Sequence, residues 1–271
     1  MRRIRTTSAA AMIAVATLAL SACGHDPSSP DTTTKSVAVS PVAAIQKASV
    51  ATAQSGSASF TMAMTMTVGG QSVAFSGKGA FDYKRSVGRM SLSLPESLGV
   101  AAGPIDEIVT PDAVYLSGAL FGKKGKWVKV DISKLGATAF SSGLDPAKAA
   151  DMLKSVAAVT VVGSEPIKGV ATTHYKGTLD TAKAYAAMAP SLRDLATKSG
   201  VTLPKSIPFD AWIDGRGRLA QLTEQLTLPV QGQSVGMRVQ MNLGDYGKPV
   251  VVAVPRAADL VTVPGVSALG S

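Results

Sequence analysis

Few residues in this 271-residue chain have the types and spacing that chemistry needs. Gly232-Gln233-Ser234-Val235-Gly236 carries the G-x-S-x-G spacing that presents a nucleophilic serine on a sharp strand-to-helix turn. That geometry requires a strand before the serine, a helix after it and a histidine downstream. Here an alternating apolar pattern follows, and no histidine occurs after His174, so the segment reads as a turn. The two histidines are His25 and His174, and the second, beside Thr172, Thr173 and Tyr175, reads as a strand surface residue. HExxH, paired Cys/His spacing, an Asp-rich calcium loop, GxGxxG and the Walker pattern are all absent from the sequence. Asp106 and Glu107 are neighbours whose side chains would point to opposite faces of a strand, the wrong geometry for shared acid–base work. No enzyme, metal or cofactor is expected.

Cys23 is the single cysteine, and what precedes it assigns its chemistry. Arg2, Arg3 and Arg5 give a positive start, and Ala9 to Leu20 is an apolar run too short for a permanent transmembrane helix, which together read as a signal peptide over residues 1–22. Leu20-Ser21-Ala22-Cys23 resembles the lipobox of bacterial lipoproteins, in which the thiol takes a diacylglycerol and becomes the mature first residue. A plain secretory site is the alternative, but it would leave an unpaired thiol in an oxidising compartment. The expected location is therefore the extracytoplasmic face of the cell membrane, held by lipid. Residues 24–35 are rich in Ser, Thr, Asp and Pro without apolar periodicity, so residues 23–39 read as the lipidated cysteine and a disordered tether.

Outside the signal peptide, 24 basic residues stand against 18 acidic, a mild excess that suits an anionic membrane surface. No basic stripe with interleaved aromatics occurs, so nucleic acid is excluded as a partner. With one cysteine there is no disulfide, and the domain must rest on its core alone.

The elements that would position any site follow from periodicity. Ser40-Pro41 opens a helix to about Gln54. Ser57 to Thr67 is the clearest strand, with Phe60, Met62, Met64 and Met66 on one face, and Gly69-Gly70 turns into a second strand with Val73 and Phe75. Met90, Leu92 and Leu94 mark a third. Ile105 to Val109, Ala113 to Ser117, Lys126 to Asp131, Ala158 to Gly163 and Thr172 to Thr178 are further strands. A second helix from Asp145-Pro146 carries Ala149, Met152, Leu153 and Val156, and a third after Asp180 carries Tyr185, Met188, Leu192 and Leu195, interrupted by Pro190. A hairpin around Asp214-Gly215 joins Ile207–Asp214 to Arg218–Leu228, and Val235 to Leu243 alternates Met237, Val239 and Met241 with polar residues. The pattern is α+β, with one large antiparallel sheet.

Apart from Met1 and Met12, every methionine falls on such an apolar face. Unbranched, polarizable side chains re-pack around flexible guests and suit acyl chains, although a Met stripe is also ordinary core. Aromatics make up only 5% of the chain, which favours unfilled space beneath covering helices.

Several segments together resemble the actinobacterial LppX/LprAFG lipoprotein family: the lipobox and tether, the helix before an alternating strand, Val87 to Leu94, Gly163 to Gly177, Ala211-Trp212-Ile213-Asp214, and Val239 to Val250 with its D-Y-G-K-P-V ending. The resemblance implies a strongly curved antiparallel half-barrel, similar to the LolA/LolB carriers, with helices over the concave face and a lipid-binding domain spanning residues 40–258 before a tail at 259–271. It implies an apolar cavity for acylated lipids or glycolipids, walled by Phe60, Met62, Met64, Phe75, Met90, Leu92, Val239 and Met241 on the sheet and Met152, Leu153, Met188 and Leu192 on the helices. The expected function is lipid carriage within the envelope by a monomer, with a membrane transporter or regulator as a further partner. The alternative is an envelope sensor that binds a membrane protein and transfers no lipid.

Overall fold

In the computed structural model, Ser40 Oγ accepts the Ala43 N–H at 3.2 Å and Pro41 occupies the first helical position, where no donor is needed, so α1 runs Pro41–Gln54. The structure describes residues 40–95, 103–121, 125–131, 152–187, 193, 204–230 and 233–262. The strands are β1 (Ser57–Val68), β2 (Gln71–Asp82), β3 (Val87–Ser93), β4 (Ile105–Val109), β5 (Ala113–Ser117) and β6 (Trp127–Asp131), then β7 (Val156–Ile167), β8 (Val170–Asp180), β9 (Ser206–Asp214), β10 (Leu219–Val230), β11 (Gln233–Gly244) and β12 (Leu260–Val261). A short helix, α2 (Thr181–Ala187), follows β8, and the Asp180 carboxylate accepts the Lys183 N–H at 3.1 Å to cap it.

All twelve described strands join one open, curved sheet in the order β12-β6-β5-β4-β3-β2-β1-β11-β10-β9-β8-β7. Each pairing is antiparallel except β12 with β6, which is parallel. The centre is closed by β1 against β11, in which Phe60, Met62, Met64 and Met66 stand opposite Leu243, Met241, Val239 and Met237. Two alternating strands in this register place all their long apolar side chains on one face. That methionine face also carries α1, whose Ile45 and Ala48 join Phe60, Phe209, Leu219, Leu222, Met241 and Leu243 in the main core.

Glycine on this face makes room for rings. A Cβ on Gly79 would stand 2.6 Å from Phe60 Cζ, and one on Gly177 would stand 2.8 Å from Phe209 Cζ. In both cases an aromatic side chain lies across the neighbouring strand where no side chain competes.

Three sequence expectations change. Met152–Ser155 is a 3-10 turn, and Val156 opens β7 instead of ending a helix. The earlier part of that expected helix, with Ala149, lies outside the described residues. Ser234 and Gly236 belong to β11, not to a turn, because the alternation of Val235, Met237 and Val239 begins there; Gly232 is outside the described residues. Pairing also reaches past residue 258, since Leu260 and Val261 add to the sheet edge beside Trp127 and Val128. α1 packs against β7, β9 and β10, while the expected cover over the rest of the concave face falls largely on segments outside the described residues, including Met188, Pro190, Leu192 and Leu195.

Candidate functional site

The register sets the sheet residues of the expected wall on one face. Met62 faces Met241 on one side and Gly77 on the other; Met64 lies between Val239 and Phe75; Met90 and Leu92 follow opposite Gly79 and Gly77. Phe60, Met62, Met64, Phe75, Met90, Leu92, Val239 and Met241 thus share one face. Their burial is graded along it. Phe60 and Met241 are enclosed in the main core, whereas Met62, Met64, Phe75, Leu92 and Val239 are half-buried. Leu153 is fully enclosed and Met152 packs beside it against the same core. Cys23, Met188 and Leu192 lie outside the described residues.

Two carboxyls interrupt this apolar face. Glu224 on β10 stands between Phe209 and Val239, with Leu222 and Leu226 before and after it on the same side, and its Oε1 is buried without a hydrogen-bond partner. Glu107 on β4 stands between Met90 and Leu116. Burial among apolar neighbours disfavours the charged form and raises each carboxyl to about 7. Asp106 faces the other way, beside Ser91 and Ser117, as the strand period requires.

The D-Y-G-K-P-V block is a structural joint. Asp245 adopts a left-handed φ of 49° and Gly247 one of 77°, turning the chain out of β11. The turn is tied to β1 by Ser59 Oγ donating to Asp245 at 2.8 Å and Ser57 Oγ donating to the Lys248 carbonyl at 2.6 Å. The Tyr246 hydroxyl donates to the Leu219 carbonyl, and burial pushes its pKa up. Thr52 at the end of α1 accepts the Leu219 N–H at 3.1 Å, while Arg218 lies 4.2 Å over the Tyr246 ring and pairs with Asp214 at 2.6 Å. Helix, hairpin and final strand are thereby held in one cluster.

His174 is more engaged than an exposed strand residue would be. Its Nε2 lies 2.8 Å from Asp210 Oδ1, its ring stacks on Trp212 at 4.3 Å, and Trp212 Nε1 donates to Glu165 at 2.8 Å. Among the described residues no group of three or more His, Cys, Asp and Glu could hold a metal ion. No helix among them is long and apolar enough to cross a membrane.

A cavity of about 930 Å³ opens on the opposite face. Its floor includes Ser59, Thr61, Lys78, Arg89 and Asn242, which alternate with the methionine-face residues. Of the expected wall, Phe60 and Met90 border it.

LprF from Mycobacterium bovis aligns in structure at 17% identity and a TM-score of 0.49, covering 79% of this chain and 96% of that one. LppX from Mycobacterium tuberculosis aligns at 16% identity and 0.48, covering 78% and 97%. A LolA superfamily protein from Nitrosomonas europaea aligns at 9% identity and 0.32, covering 77% and 95%. No curated protein matches the chain in sequence. The LppX_LprAFG lipoprotein family matches residues 97–252, more than half of the chain, and this protein belongs to that family.

Proposed function

We propose that this lipoprotein is anchored through Cys23 on the extracytoplasmic face of the membrane, binds acylated lipids or glycolipids against its methionine face, and carries them within the envelope. The observation that carries the reading is the graded burial across β2, β1 and β11. Phe60 and Met241 are sealed by core, but Met62, Met64, Phe75 and Val239 continue the same apolar surface half-buried. Flexible thioethers on such a surface adapt to acyl chains of differing shape, as a carrier requires. Membership of a lipoprotein family supports the anchor.

Native mass spectrometry of the full chain released from envelope membranes, followed by organic extraction, tests this. Diacyl or triacyl species should copurify, and Met64→Trp should lower their occupancy several-fold while leaving the circular dichroism unchanged. A protein that is empty and refuses added lipids overturns carriage and favours the sensor alternative.

A further inference from the structure

We propose that the cleft on the face opposite the methionines is a second binding site, for a phosphate-bearing amphiphile: Lys78, Arg89 and Lys168 hold the oxyanion, and Trp127, Ile167 and Val170 flank its apolar part. The cleft's floor residues alternate with those of the methionine face, because consecutive residues of a strand point to opposite sides, and Phe60 and Met90 border it from that face.

Size is the first support. A volume of about 930 Å³ lies in the range of small-molecule sites and admits a headgroup with the start of its chains. Ala80 and Gly244 keep the floor low, and an added Cβ on Gly244 would meet nothing nearer than 4.0 Å.

Charge is the second. Lys78 and Arg89 are diagonal neighbours on β2 and β3, since Lys78 pairs with Ser91 and Ala80 with Arg89. Diagonal positions stand roughly 7–8 Å apart, within reach of two long side chains closing on one group. Lys168 comes from the tip of the β7–β8 hairpin, held at a left-handed φ of 48°. Among the described residues none of these three cations forms an ion pair. The acids bordering the cleft do not cancel them. Glu107 points to the other face, and Asp245 is occupied by Lys248 and Ser59, which leaves Asp106. Three like charges around one cavity repel until an anion enters, and guanidinium and ammonium donors give phosphate its strongest hydrogen bonds.

The walls decide between a bare anion and an amphiphile. Trp127 packs with Ile108 and Tyr115 at one side, and Ile167 with Val170 forms the other. Val170 is 48% exposed and Val251, also bordering the cleft, 76% exposed, so apolar surface stands open where chains would leave the headgroup.

The test titrates dihexanoyl phosphatidate, dihexanoylglycerol and inorganic phosphate into the full-length chain in an uncharged detergent, reading tryptophan emission, in which Trp127 reports from the cleft and Trp212, stacked on His174, is common to every variant. Phosphatidate should saturate the signal, and the double variant K78E/R89E should weaken it at least about tenfold, the loss of one or more charged hydrogen bonds. Lys78 and Arg89 are exposed, so the double variant should keep its circular dichroism; Lys168→Gln is the milder second variant, with a several-fold loss expected. Saturation by inorganic phosphate with the same dependence on these residues supports the oxyanion site and makes free anion its source. Equal affinity for dihexanoylglycerol, undiminished binding in both variants, or no binding of either phosphate compound overturns the proposal.

Discussion

At the scale of single residues, the informative groups are the two carboxyls set among apolar side chains. In the folded chain Glu107 and Glu224 hold their protons to about pH 7, whereas in the unfolded chain they ionise near the ordinary value of 4.5. A raised folded pKa means that the native state binds more protons than the unfolded state between those values. Stability is therefore full below about pH 4.5, falls as pH rises towards 7 and then levels, by a few kcal/mol for the pair at order of magnitude. Urea unfolding at several pH values should show this decline. Glu224→Gln cannot ionise and should remove its share of the slope; an unchanged slope would mean that Glu224 reaches solvent. From sequence, Glu224 reads as one more polar residue on a strand. Only the register, which sets it between Phe209 and Val239, turns it into a buried acid.

At the scale of elements, the strands were legible because alternation survives in them almost unbroken. Ile105–Val109 and Ala113–Ser117 are strands with the bounds expected for them, and α1 begins where its cap and proline place it. Val156 was misplaced because Met152, Leu153 and Val156 are spaced both as a helical stripe and as the approach to a strand, and sheet pairing with Leu179 outweighs that local pattern. The glycines within strands gave no directional signal, yet each has its own surroundings. Gly79→Ala would press a methyl group on Phe60 and on the Arg89 carbonyl, and should cost about 1–3 kcal/mol. Gly77→Ala meets nothing nearer than 3.6 Å and should stay within roughly 0.5 kcal/mol. Thermal or denaturant midpoints compare the two directly, and equal effects would refute the ring-over-glycine packing.

At the scale of the whole molecule, the sheet has two faces with different chemistry. One gathers thioethers and aliphatic side chains around α1; the other holds a cleft with cations and polar groups on its floor. The C-terminal segment belongs to this arrangement, because Val252 and Leu260 cover Ile108, Ala113 and Tyr115 and β12 extends the edge beyond β6. Attachment to the membrane is proposed through Cys23. Cys23→Ala should remove the acyl mass from the chain and shift it out of the detergent phase on phase partition; unchanged partition would sink the anchor.

Alternation, caps and turns determined the element order, and with it the α+β class and the common face of Phe60, Met62 and Met64, because these depend on residues adjacent in the chain. The lipobox and the D-Y-G-K-P-V block pointed to the family for the same reason: each is a contiguous motif. Tertiary structure alone decided which strands are neighbours across the 12-strand order, that β1 meets β11 from the far end of the chain, and that Lys78, Arg89 and Lys168 border one cleft. Those are contacts between residues as far apart as Ser59 and Gly244, set by strand pairing and loop entropy over the entire domain, and no local window of sequence contains them.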